Sequence, residues 1–282
     1  MIVALLSSLA LAAQVDLLQP GEGEKSVLAM HPKVGTTEVF EVVLDLDMKM
    51  DMGQMGQIPT DLPPMVMVLE GTIQKVEANG DVHYTYALKD TEVRPGEQKV
   101  DPMMLAAVDK ALGTMDGFTG TVVSGKNGEV KDQTFKPPPG ADPQQLGNMQ
   151  KTINNVGTVF PTEAIGTGAR WRVTQPIQDN GISLEQTVVY TLKERKGDVI
   201  TLTTETLQKP AADATFSVQG AQAELVQFKS MGHGETVIDL GKLFPTTAEL
   251  NHYLNSAMQV TQPQGVMTVG VEMDMKMNMA RK

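Results

Sequence analysis

The sequence predicts a mainly β fold: a strongly curved antiparallel sheet or open barrel of about ten to twelve strands with two covering α-helices. Three observations carry this. Apolar and polar residues alternate over long stretches, which places successive side chains on opposite faces of a strand. Turn signals recur between these stretches: Asn79-Gly80, Asn127-Gly128, Asn180-Gly181, Lys196-Gly197, Met231-Gly232-His233-Gly234 and Gln262-Pro263-Gln264-Gly265. Asp101-Pro102 and Asp142-Pro143 each supply a helix N-cap followed by proline at the first helical position.

In chain order, Ile2–Ala13 reads IVALLSSLALAA. This run is too short to cross a bilayer, which takes ~20 residues. It fits the core of a signal peptide over residues 1–13, with Ala10 and Ala12 as the small-x-small processing pattern near Ala12. The mature chain is then exported, to the periplasm or beyond. A buried N-terminal strand or helix is the alternative. Residues 14–33 carry Pro20, Gly21, Gly23 and Pro32 without periodicity and read as an irregular arm. Residues 34–282 read as a single β-rich domain with no transmembrane span.

Within that domain, Leu44, Leu46, Met48, Met50 and Met52 alternate strictly with Asp45, Asp47, Lys49 and Asp51. Gly53–Pro64 breaks the pattern. Met65–Val76 and Val82–Val93 flank the Asn79-Gly80 turn, a dipeptide suited to the φ > 0 that such hairpins need. Gly120–Ser124 and Val130–Phe135 form the next hairpin. Arg170–Thr174, Ile182–Leu192 and Val199–Leu207 follow as a meander. Glu224–Phe228 and Thr236–Leu240 flank Met231–Gly234, and Leu250–Val260 and Val266–Met279 close the chain. The helix near 102–114 carries Met104, Ala107, Val108, Ala111 and Leu112 and is apolar over most of its surface, which predicts deep burial. The helix near 143–156 has only the stripe Leu146, Met149, Ile153 and Val156 and should lie on a surface with that stripe inward.

Two internal echoes stand out. LDLDMKMDM at 44–52 matches VEMDMKMNM at 271–279, and EANGDV at 77–82 matches ERKGDV at 194–199. Their spacings differ, which favours similar strands facing one interior over a duplicated half.

Composition excludes several functions. Lys plus Arg is 23 against 34 Asp plus Glu, a net charge of -11, which argues against a nucleic-acid partner. With no cysteine there is no disulfide framework, thiolate site or cysteine nucleophile. No G-x-S-x-G, H-E-x-x-H or P-loop is present, so no enzymatic activity and no cofactor is expected. His31, His83, His233 and His252 lack metal-ligand spacing, and the carboxylates between the methionines read as the solvated side of a sheet.

Methionine is the unusual component, at 19 residues. Val and Ile suit strands better, whereas Met adapts to partners of variable shape. Met48, Met50, Met52, Met65, Met67, Met273, Met275, Met277 and Met279 are the candidate lining of a pocket for an apolar or lipid-like ligand. Two alternatives stand beside this: Met as filler of an ordinary core, and Cu(I) held by soft thioethers. Trp171, between Arg170 and Arg172, reads as a core anchor. The two arginines share the other face, either solvated or at a pocket mouth.

The long alternating strands, the G-x-x-W at Gly168–Trp171, the late hairpins and the final MDMKMNM strand together resemble bacterial secreted β-rich families of unknown function. Strand order and composition over roughly residues 34–280 also look like the lipoprotein-carrier (LolA/LppX-like) architecture. That resemblance implies an incomplete antiparallel barrel, helices closing its mouth and a cavity for acyl chains. The expected function is an exported, non-enzymatic binding protein for an apolar or lipid-like ligand held between a curved sheet and helices. A structural envelope-assembly protein with a filled core, or a periplasmic copper-binding protein, is the alternative.

Overall fold

Alternation does build the strands. In the computed structural model, which describes residues 13–51, 53, 56–96, 100–138, 157–179, 182–211, 216–218, 221–262 and 265–282, the chain is mainly antiparallel sheet. The arm expected to be irregular contributes β1 (Gln14–Gln19) and β2 (Glu22–Ser26). There follow β3 (Thr37–Asp51), β4 (Gln57–Asp61), β5 (Met65–Val76), β6 (Val82–Val93), α1 (Pro102–Gly113), β7 (Thr119–Ser124) and β8 (Val130–Lys136). The second half comprises β9 (Ile165–Thr167), β10 (Arg170–Asp179), β11 (Ile182–Lys196), β12 (Val199–Pro210), β13 (Phe216–Val218), β14 (Ala221–Asp239), β15 (Thr247–Gln262) and β16 (Gly265–Arg281).

The main sheet has 14 strands in the order β1-β10-β11-β12-β14-β15-β16-β3-β5-β6-β7-β8, with β13 beside β14 and β4 beside β3. It exceeds the expected ten to twelve because β1 from the arm, β4 from the Gly53–Pro64 break and the short β13 are added, while two expected strands join into β14. It is not closed into a barrel: β1 and β8 are its two ends. Lys131, Asp132 and Lys136 place charge on β8, a common way to blunt an edge. β2 and β9 form a separate two-stranded sheet. Among the described residues, no helix is long and apolar enough to cross a membrane.

Two expectations are corrected. Met231–Gly234 is no turn: β14 runs through it without a break. The glycines are there because side chains of β15 lie over them. A Cβ on Gly234 would sit 2.4 Å from Leu250 Cδ2, and one on Gly232 would sit 2.9 Å from His252 Nδ1. The helix at 102–114 exists, with Asp101 accepting from the Met103 and Met104 amides, but it is not deeply buried. Only Leu112 is buried, and Met103 is 81% exposed. The helix expected at 143–156, residues 1–12 of the expected signal peptide, and Met52 lie outside the described residues.

One face of the sheet carries the core. A row of directly opposed residues, Leu192, Leu202, Thr236, Ala248, Met279, Val42 and Met67, crosses seven strands on that face. At the β10–β14 end, Trp171 is fully buried and stacks on Tyr190 with ring centroids 5.3 Å apart. Its indole N–H donates to the Val159 carbonyl at 2.8 Å. Leu28 and Phe160 from connecting segments, and Ile165 from β9, join it in one buried cluster. At the other end, Tyr86, Leu88, Phe118 and Val122 form a second cluster. Between them, Phe40, Val42, Ala248 and Met279 form a third. There the buried Glu38 carboxylate accepts from the Leu243 and Phe244 amides at 3.1–3.3 Å, which seats Phe244 on Phe40.

Candidate functional site

The two echo strands are neighbours. β16 runs antiparallel to β3 with Met273 opposite Met48, Met275 opposite Leu46, Met277 opposite Leu44 and Met279 opposite Val42. On the other side of β3, Met67 faces Val42 and Met65 faces Leu44. Directly opposed residues of an antiparallel pair project to the same side. The eight described candidate methionines, and Met267 of β16 with them, therefore share one face of β16-β3-β5, the face that carries the core.

The eight divide into two groups. Met67, Met277 and Met279 pack within the central cluster, and Met279 is 5% exposed. Met48, Met50, Met65, Met273 and Met275 belong to none of the described clusters and are only half-buried. Met48 and Met50 lie at the opposite end of β3 from Phe40, and Met273 and Met275 beside them near the middle of β16.

A polar feature that sequence spacing does not reveal lies beside them. His252 sits opposite Met275 on the same face. Its Nε2 lies 2.8 Å from Ser230 Oγ, which donates to Gln208 Oε1 at 2.6 Å, and Gln208 Nε2 donates to Gln186 Oε1 at 2.9 Å. Ser230 is completely buried and Gln186 is 6% exposed. The one hydroxyl proton of Ser230 goes to Gln208 in this arrangement, so His252 Nε2 is the donor to Ser230 and not its base. That is a satisfied buried network, not an activated nucleophile. A signal was available: His252 falls in the apolar register of Leu250 and Leu254.

The opposite face is polar, as the alternation implies. Asp47 faces Asp274, and Asp45 faces Lys276. Lys49 and Glu272 approach to 4.0 Å. An open hollow of about 350 Å³ lies here, bordered by Asp45, Asp47, Met231, His233, Tyr253 and Asp274. No three His, Asp or Glu side chains converge to hold a metal ion among the described residues. Toward the sheet's edge, Arg172 is engaged by Asp16 at 2.7 Å. The guanidinium hydrogen bond, with a further one from Gln14, holds the Asp16 carboxyl below its ordinary value. Arg172 thus ties β1 to β10 instead of standing free at a pocket mouth. No family model and no curated protein matches this chain.

Proposed function

We propose that the protein is an exported, non-enzymatic binding protein that holds an apolar or lipid-like ligand against the methionine face of β16-β3-β5. The carrying observation is the incomplete burial of eight of the nine described methionines there, Met267 included, set against clusters built chiefly from Leu, Ile, Val and aromatic residues. A filled core needs no such surface. An acyl chain gains from it, because each CH₂ removed from water contributes ~0.8 kcal/mol, and the unbranched thioether adapts to a chain of any shape. Strong curvature of the sheet, with a helix at the mouth, would give the face its depth. α1, which follows β6 and leaves Met103 in solvent, supplies apolar surface for that role. Release then needs a shift of covering elements and no chemical step.

The test is native mass spectrometry of the protein purified without detergent, followed by titration with a fluorescent fatty acid. The expected result is an added mass of lipid size, or saturable uptake of the probe. A bare polypeptide mass together with no uptake overturns the reading and favours an assembly role.

A further inference from the structure

We infer that Met48, Met50, Met273 and Met275 form a binding site for a soft monovalent metal ion, Cu(I). The site goes beyond the acyl-ligand reading and does not depend on it. Register creates it. Met48 and Met273 are directly opposed, Met50 lies two residues along β3 from Met48, and Met275 lies two along β16 from Met273 on the other side. The four form an unbroken zigzag on one face of two adjacent strands. Opposed Cβ atoms in such a pair are about 5 Å apart, and same-face neighbours along a strand about 6.6 Å. A methionine side chain has three rotatable bonds, so the thioethers of Met48 and Met273 can meet over the strand pair together with that of Met50 or that of Met275; Met50 and Met275 lie two same-face steps apart, about 14 Å between Cβ atoms, and supply alternative third ligands.

Burial does not demand methionine here. The same stripe of β3 is filled by Phe40, Val42, Leu44 and Leu46 before it changes to methionine, and the stripe of β16 by Val269 and Val271. Met277 and Met279 have a packing role in the central cluster, whereas these four belong to none of the described clusters and keep part of their surface in solvent. That exposure gives an ion its approach.

The donor set selects the ion. Thioethers are soft ligands that favour Cu(I) over hard cations. They are also neutral, so a monovalent ion brings less uncompensated charge into the half-buried site than a divalent one. Asp47 and Asp274, on the far side of the same strand pair, add negative potential without competing as ligands, since they project away from the methionines. His252 aims its Nε2 at Ser230 and lies over Gly232, so it is not counted among the ligands.

The test is an anaerobic titration of the protein with Cu(I) against a chromogenic chelator, repeated with Ag(I) by native mass spectrometry. One equivalent should bind. Thioethers carry no titrating proton, so in a His252→Gln variant, which removes the imidazole opposite Met275, affinity should stay level between about pH 7 and pH 5, where sites made of His or carboxylates weaken. Replacing all four by Leu, a nearly volume-conserving change, should abolish binding, whereas Met103→Leu with Met115→Leu should not. In the wild-type chain, the methyl signals of these four methionines should shift with Ag(I). No bound ion, binding retained in the quadruple Leu variant, or affinity that falls with acid in the His252→Gln variant overturns the proposal. The quadruple variant keeps an apolar face and should still take up the fatty-acid probe, so failure of this site and failure of the acyl reading are separately visible.

Discussion

Gly234→Ala, read together with amide exchange across 231–234, separates a strand that runs through Met231–Gly234 from a turn at the same place. In β14 the new Cβ would lie 2.4 Å from the Glu249 carbonyl oxygen and 2.4 Å from Leu250 Cδ2. Leu250 can rotate, but the carbonyl belongs to the paired backbone of β15 and cannot retreat without opening the ladder. Overpacking of this kind costs about 1–3 kcal/mol. Against it stands the loss of unfolded-state freedom, which favours Ala over Gly by ~0.4–1 kcal/mol wherever the backbone allows. Gly234 has no positive φ, so the backbone itself is no obstacle. The structure therefore predicts net destabilisation of about 1–2 kcal/mol, read as a lower urea midpoint. A turn glycine at φ > 0 would also be strained by Ala, so the sign is read together with amide exchange: a paired strand keeps residues 231–234 protected, whereas an exposed turn leaves them fast. A raised midpoint would refute the packing of Leu250 over Gly234, and fast exchange across 231–234 would refute the continuous strand.

Further perturbations test other parts of the argument. Glu38→Ala removes the acceptor for the Leu243 and Phe244 amides in a buried setting and should cost about 2–4 kcal/mol by urea unfolding, with Glu38→Gln losing less; equal effects of the two would show that the carboxylate is not the clamp. Asp101→Ala should cost about 1 kcal/mol, felt mainly by α1 and visible as faster hydrogen exchange at Met103 and Met104. Lys282 hydrogen-bonds Glu41 and holds its carboxyl below the ordinary 4.5, with Arg94 adding to the effect. A depressed carboxyl contributes stability above its unfolded value that is lost as pH falls through the folded one, so Glu41→Gln should flatten the loss of stability below about pH 4.5. An acid limb that stays equally steep counts against this bridge.

Much of the strand pattern was legible because its causes are local. A period of two needs only neighbouring residues, so Met65–Val76 and Val82–Val93 coincide with β5 and β6. Asn79-Gly80 lies in their connection, with Gly80 at φ 90°. Asp101-Pro102 was likewise sufficient to start α1. The Met231–Gly234 reading failed because glycine has two uses in a sheet. It permits turns, and it makes room for a facing side chain, and nothing local distinguishes Leu250 lying over Gly234 from open solvent. The burial expected of α1 failed for the same reason, since an apolar helix records a tendency and not the presence of a neighbour. For the methionines, alternation was enough to put each set on one face of its own strand.

Tertiary structure alone decided which strands meet. β3 and β16 lie more than two hundred residues apart in the chain, and similar composition made their pairing plausible without setting its register. That register places Met273 against Met48 and moves Met277 and Met279 into a packed cluster while Met48, Met50, Met273 and Met275 stay reachable. It likewise puts His252 beside Met275, an adjacency that no spacing along the chain contains. Hydrogen-bonded ladders between distant segments are fixed by the burial of a whole face at once. The residues that share a site are therefore a property of the sheet and not of any one strand.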